Sequence, residues 1–299
     1  MSFLWFLSEG RNPVLDVLML LISYIGTPFC VVGIITWFYY NVSKKAAYTI
    51  SFSFYASMIF CQGLKLVVRM PRPWLLDSAF QPVQAAVSTA GGYSFPSIHT
   101  SGSTALYVSL CYFYKEKKPR IICIALLALV AFSRMYLGCH TPLDVSFGFL
   151  AGLAFTIFLC RYWNEAKDKT ATGLWLCLII SAAAAVLIIL DGVLTASQVV
   201  DSVNAKDAFE TAGIALGFSI GFYMERKIIR FKNEAPLLRK ILRFAVGIGV
   251  ALGIEFGMKA FSGTSFLLLT LRYFLMLLWL SGIWPYLFTK NEKLHALFA

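Results

Sequence analysis

The sequence predicts an all-α, polytopic transmembrane helix bundle, a six-helix core followed by C-terminal transmembrane helices, on three observations. First, the 299 residues are 59% apolar and only 14% charged, with a mean hydropathy of +0.73. An average soluble domain carries roughly 25% charged and 45–50% apolar residues. Second, the apolar residues gather into runs of spanning length. Third, the basic residues gather in alternate gaps between those runs. A cytosolic enzyme, a nucleic-acid binder and a disordered chain are all excluded by this pattern, despite a formal charge of +11.

Apolar runs fall at 28–41, 46–68, 97–114, 121–137, 143–160, 173–190, 207–224, 241–260 and 264–287. Most match the roughly 17–25 residues that a spanning helix needs. The short run at 28–41 either continues a helix over 13–25, kinked at Gly26-Thr27-Pro28, or follows an interfacial helix there. The basic gaps hold Lys44 and Lys45; Lys115, Lys117, Lys118 and Arg120; Arg161, Lys167 and Lys169; seven basic residues from Arg226 to Arg243; and Lys290 and Lys293. Nine crossings alternate these loops with poorly charged ones. The positive-inside rule then puts the basic loops and the C-terminus in the cytoplasm, and the N-terminus and the loops at 69–95 and 138–142 outside. Residues 1–10 hold no Lys or Arg, and the first hydrophobic stretch leads straight into more protein, so no cleavable signal is expected. The seven Cys lack metal or redox spacing and read as small packing residues.

Residues 1–162 form one expected unit and 163–299 a second of further transmembrane helices. The unusual chemistry lies in the first. A charge at mid-membrane depth costs roughly 2.5–3.5 kcal/mol on insertion scales, so such residues usually have a role. Lys65 and Arg72 lie at the outer end of the second run, His99 opens the third, Arg134 ends the fourth, and His140 and Asp144 straddle the start of the fifth. Two of the three His of the chain are in this set. Pro96 suits a first helical position, which frees the amides of Ser97, Ile98 and His99 for an anion. Lys65, Arg72 and Arg134 then supply three cations, whose many donors suit a phosphate. Asp144, four residues after His140, can hold its imidazole N–H and leave the other nitrogen as a nucleophile. His99 is then the general acid.

The pattern Lys65-x6-Arg72-Pro73, Pro96-Ser97-x-His99 and Ser133-Arg134-x5-His140-x3-Asp144 resembles the type 2 phosphatidic acid phosphatase superfamily, which includes lipid phosphate phosphatases and vanadium haloperoxidases. The likeness covers roughly residues 50–155, and Ile98 stands where the central motif often has Gly. The stretch from Ser133 to His140 and the helical tail after residue 170 resemble the sphingosine-1-phosphate phosphatases of that superfamily. The resemblance implies a multi-pass membrane phosphatase that needs no metal or cofactor. Its implied partners are a lipid phosphate substrate and membrane lipids, with no nucleic acid. Lys65, Arg72, Ser97, Ile98 and Arg134 would bind phosphate, His140 would form a phosphohistidine, Asp144 would orient it, and His99 would be the acid. A phosphotransferase sharing the intermediate, and a lipid transporter or scramblase without catalysis, are the competing readings.

Plainer readings stand beside these. Thr141-Pro142-Leu143-Asp144 is also a helix-start motif, Ser97 is also a capping residue, and Lys65 could reach the interface with its ammonium. Glu255, Lys259 and Arg272 in later runs read as structural ion pairs. The Asn41-Val42-Ser43 sequon falls on the cytoplasmic side and is discounted. Trp74, Leu75, Leu76 and Phe80 in the long 69–95 loop suggest a lipid-access flank, with Gly91-Gly92 allowing movement.

Overall fold

A computed structural model describes residues 1–262, 265–291, 294, 297 and 298. Among these residues there is no strand. In chain order the helices are α1 (Ser2–Glu9), α2 (Pro13–Ile25), α3 (Pro28–Asn41), α4 (Lys44–Val68), α5 (Pro73–Leu76), α6 (Gln84–Val87) and α7 (Ile98–Phe113). They continue as α8 (Lys117–Tyr136), α9 (Pro142–Glu165), α10 (Lys169–Ala196), α11 (Ser202–Met224), α12 (Leu237–Ser262), α13 (Phe266–Leu278) and α14 (Trp284–Lys290). Two π-helical turns, Glu225–Ile229 and Trp279–Ile283, interrupt the C-terminal half.

The first eight expected apolar runs each fall on one of these helices, and the ninth, 264–287, is divided among α13, the second π turn and α14. Thr264, where the last run begins, and Lys293 lie outside the described residues. Six helical segments are long and apolar enough to span a membrane, or seven if α2 and α3, bent by 49° at Gly26-Thr27, form one broken span. The protein is therefore a multi-pass membrane protein. Helix α7 falls short of that standard because 16 residues reach only about 24 Å. Helix α11 is long enough, but its first turns carry Lys206, Asp207 and Glu210.

Local chemistry sets the helix starts. Pro13 opens α2 behind Asn12, whose Oδ1 accepts the Leu15 amide at 3.0 Å. Asp168 and Asp201 cap α10 and α11 through pairs of amides at 2.8–3.0 Å. Each such cap contributes about 1 kcal/mol. The outward faces are apolar, as at Ile121, Ile122 and Ile124 of α8 and Leu178, Ile179 and Ile189 of α10. A face of this kind suits lipid chains and not water.

The chain divides into two compact units, one of residues 1–32 and 56–161, the other of 33–55 and 162–299. In the first, α7 is buried along most of its length although it is rich in Ser and Thr. Its backbone is approached closely by α9. A Cβ at Gly148 would lie 2.5 Å from the Ser97 carbonyl oxygen, and one at Gly152 2.6 Å from that of Ser101. Small residues let membrane helices make such contacts.

The second unit is built around α11, where Gly213, Gly217 and Gly221 repeat every four residues. A side chain at these positions would meet the Thr270 and Phe274 carbonyls and the Ser281 side chain. This seam against α13 and the π turn is a small-xxx-small repeat, present in the sequence but hidden within a run read only for its hydropathy. Two cations here meet carboxylates. Lys44 bonds Glu225, which also accepts from Tyr48. Arg272 Nε lies 3.2 Å from Glu255 and its Nη2 3.9 Å from Glu210. The expected structural ion pair therefore joins Glu255 to Arg272.

Candidate active site

The ends of four helices of the first unit supply the polar cluster. Lys65 lies in the last turn of α4, His99 in the first turn of α7, Arg134 in the last turn of α8, and Asp144 in the first turn of α9. Arg72 precedes α5, and His140 sits in the short α8–α9 connection. Gly138, at φ +77, makes the turn that brings the chain back toward Arg134, whose carbonyl accepts from the Cys139 amide at 3.0 Å. All the residues expected from the sequence are buried, Arg134 completely and Lys65, Arg72, Ser97, Ile98, His99, His140 and Asp144 to 8% exposure or less.

His140 stands at the centre. Arg72 Nη1 lies 3.1 Å from His140 Nε2. A guanidinium only donates, so Nε2 is the accepting nitrogen and the proton rests on Nδ1. Nδ1 faces Asp144 Oδ2 at 3.6 Å, a close charge contact but too long for a hydrogen bond. Burial holds the His140 imidazole well below its ordinary pKa, and the charges of Arg72, Arg134 and Lys65 push it the same way. It is therefore a neutral ring with a lone pair on Nε2.

Asp144 is fixed on several sides. Its Oδ2 accepts from Ser94 Oγ at 2.6 Å and from the Thr141 amide at 2.7 Å, and its own amide donates to Thr141 Oγ1 at 3.3 Å. The helix-start reading and the orienting reading of Asp144 thus coexist. Its backbone carbonyl also accepts the Ser97 amide at 3.0 Å, which ties the first turn of α9 to that of α7.

The start of α7 differs from the sequence expectation. Pro96 remains outside the helix, and Ser97 is the cap. The Ser97 hydroxyl accepts from the Thr100 amide at 3.4 Å and from the Thr100 hydroxyl at 3.1 Å. The Ser97 amide is already engaged by Asp144. Ile98 and His99 remain as first-turn amides with no intrahelical partner. Ile98 presents only its amide, so the missing Gly costs the site no donor.

The cations are held by loop carbonyls and by hydroxyls. Lys65 donates to Tyr93, and Arg72 to Gly91, Gly92 and Cys139, the last two at 3.0 Å. Arg134 donates through Nη1 to Ser23 at 2.7 Å and Thr89 at 3.2 Å. Arg134 Nε and Nη2, and His99 Nε2, are buried without a hydrogen-bond partner. Leaving such groups unmade typically costs ~1–3 kcal/mol each, and more when charged. Donors left unpaired beside a nucleophilic ring define space for an anion. Among the described residues, no group of three or more His, Cys, Asp or Glu could hold a metal ion.

Several supporting residues were missed by sequence reasoning. Ser94 lies two residues before Pro96, and Ser23 and Thr89 come from distant segments, so no local pattern marks them. Helix α1 was also unexpected. Trp5 donates to Asp77 at 3.0 Å and packs edge-on against Phe80 at 5.4 Å, while Arg11 donates to the Tyr136 and Gln81 carbonyls. These contacts correct the reading of the 69–95 loop. Phe80 is wholly buried, and Trp74 packs against the buried Ala86, Ala90, Tyr136, Leu137 and Cys139. The exposed apolar residues there are Leu75 and Leu76.

Two family models match the chain. Residues 46–168 match the PAP2 superfamily, and residues 209–295 match the PAP2 superfamily phosphatase, transmembrane extension. The chain carries a PAP2 superfamily domain followed by a PAP2 transmembrane extension. It is 28% identical over 137 residues to undecaprenyl-diphosphatase BcrC of Bacillus subtilis, covering 45% of the chain and 68% of that relative. It is 27% identical over 229 residues to lipid phosphate phosphatase delta of Arabidopsis thaliana, covering 66% of the chain and about half, 51%, of that relative. Among solved structures, Aquifex aeolicus LpxE superposes with a TM-score of 0.49 at 21% identity, covering 54% of this chain and 94% of that one.

Proposed function

We propose that this protein is a lipid phosphatase that hydrolyses a phosphate monoester or diphosphate of a lipid, such as a polyprenyl diphosphate, a phosphatidate or a sphingoid phosphate. The reaction runs at the extracytoplasmic face through a phosphohistidine. The observation that carries this reading is the unpaired Nε and Nη2 of Arg134 and Nε2 of His99, buried in the cluster that holds the neutral His140 ring. The names of the two relatives supply the lipid character of the substrate. The excess of basic residues in the alternate loops supplies the orientation.

The phosphoryl oxygens are gripped by Arg134, Arg72, Lys65 and the amides of Ile98 and His99. On seating, the phosphate oxygens replace some of the loop carbonyls that now occupy Arg72 and Lys65. His140 Nε2 attacks phosphorus, the P–N bond forms, and the P–O bond to the lipid breaks. With the anionic phosphate seated, His99 is protonated, and its imidazolium gives the Nε2 proton to the departing oxygen. Asp144 stabilises the positive charge that the His140 ring acquires, with Ser97 and Ser94 holding the turn in place. Water then attacks phosphorus, His99 takes its proton, and the P–N bond breaks to return His140 and release phosphate.

The test is phosphate release by the purified full chain in detergent with EDTA and no acceptor alcohol. Undecaprenyl diphosphate, phosphatidate, phosphatidylglycerol phosphate and sphingosine phosphate are the substrates to compare. EDTA-resistant release that is lost in His140→Ala is the expected result. No release from any of them by the folded protein would overturn the proposal.

A further inference from the structure

The second unit holds a cavity of about 710 Å³ near the π turn at Glu225–Ile229 and the end of α14. Lys227, Arg230, Lys232, Arg243 and Lys290 line it, against the single acid Glu234. Its volume is in the usual range for a small-molecule site, roughly 300–1,000 Å³.

A surplus of loop cations on one membrane face is ordinary. Three features go beyond it. The cations surround a concavity with an aromatic floor, where Arg243 is 2% exposed and stacks 4.9 Å over Phe288. The nearby acid of the same segment, Glu225, is withdrawn from the cavity. It is buried and engaged by Lys44 and Tyr48, so it does not offset the surplus. The backbone is also irregular at this segment. The π turn ends in Arg230 at φ 54 and ψ 43, a left-handed conformation that costs a non-glycine residue of order 1–3 kcal/mol. Such local strain and π turns concentrate at functional sites.

We propose that this cavity binds the phosphate group of an anionic phospholipid, at a site that shares no residue with the catalytic cluster. Five cations and one acid suit a phosphate anion. The lipid source follows from the apolar surface of the same segment: Ile228, which lines the cavity, is exposed, and Leu237 and Leu238, three and four residues after the lining Glu234, are exposed at the start of α12 and can meet acyl chains. Basic pockets between membrane helices on the cytoplasmic side are suited to such head groups.

The full chain in detergent, titrated with phosphatidylglycerol or phosphatidylcholine and read by native mass spectrometry, tests this. Tighter binding of phosphatidylglycerol is expected, weakened about fivefold for each lysine removed in a Lys227→Gln, Lys232→Gln, Lys290→Gln series. The corresponding Lys→Arg series should retain it. These exposed-loop changes leave buried Arg243 intact, and retained phosphate release reports that the variants are folded. Equal binding of the two lipids, or unchanged affinity in the triple Gln variant, would overturn the proposal. Displacement of phosphatidylglycerol by inorganic phosphate at matching concentration would overturn the lipid assignment and leave a site for the free anion.

Discussion

Both units of this protein bury charged side chains among apolar helices, but they treat them differently. Between the helices of the second unit, apart from its basic cavity, Lys44 meets Glu225 and Arg272 meets Glu255, so these opposite charges compensate each other. In the first, Lys65, Arg72 and Arg134 are gathered with one carboxylate, Asp144, and the cations lean on carbonyl and hydroxyl oxygens. Compensated charge holds helices together. Uncompensated positive charge, with donors left unpaired, stores the means to bind an anion. The difference teaches that the count of buried charges says little about function, and the balance of their signs says more.

The largest effect that would break this contrast concerns the nucleophile. His140→Ala should lower phosphate release on the order of 10⁴-fold while the folded protein remains helical by circular dichroism. Activity within tenfold of the wild type would remove the ring from the mechanism. His99→Ala should cost roughly 10²–10⁴-fold with a poor leaving group and much less with an aryl phosphate, because general acid help matters less there. Equal losses with both substrates would show that His99 has another role.

A stability experiment sharpens the other side. Arg272→Gln removes the partner of Glu255, and breaking a buried ion pair costs about 3–5 kcal/mol. Glu255 is only partly buried, so the lower end is expected, seen as a lower midpoint of thermal unfolding with kcat unchanged. Loss of kcat at full stability would place catalytic chemistry in the second unit.

The smallest effect concerns pH. The folded His140 imidazole titrates well below its ordinary value of about 6.5, because burial and three cations disfavour its charged form. It stays neutral and nucleophilic as pH falls through 6.5, so the acid limb of kcat/KM should lie below the ordinary histidine range. By linkage, the unfolded chain binds the extra proton first. The stability tied to His140 is then present above about 6.5 and lost as pH falls from there toward the folded value. Arg72→Gln should move the acid limb upward by removing one of those cations. An acid limb that does not move would separate the limb from His140.

Much of the first unit was legible because its chemistry is written in local spacing. His140 and Asp144 are four apart at a helix start, and the Pro96-Ser97-x-His99 segment announces another. The residues that fix these groups were not legible, because they reach the site through tertiary contact. Ser23 and Thr89 hold Arg134, and Ser94 holds Asp144, with no periodic signal at any of them. Pro96 was misplaced by two positions because the Ser97 side chain caps the helix more effectively than proline can open it. Phe80 was read as interfacial from its type alone, but Trp5 and Arg11 of an unexpected N-terminal segment cover it. In the second unit, hydropathy located the helices. It could not show that Gly213, Gly217 and Gly221 form one seam, since that depends on what α13 places opposite them.

The central claim is that the His140 Nε2 lone pair, flanked by donors without partners, takes the phosphoryl group. Rapid acid-free quench of the full chain with a ³²P-labelled lipid phosphate, followed by peptide mapping, tests it most directly. The account expects label on the peptide containing His140, stable in alkali, lost in acid, absent from His140→Ala and accumulating in His99→Ala when the substrate has a good leaving group. Phosphate release at the wild-type rate with no labelled protein at any time, or label on another residue, would contradict it.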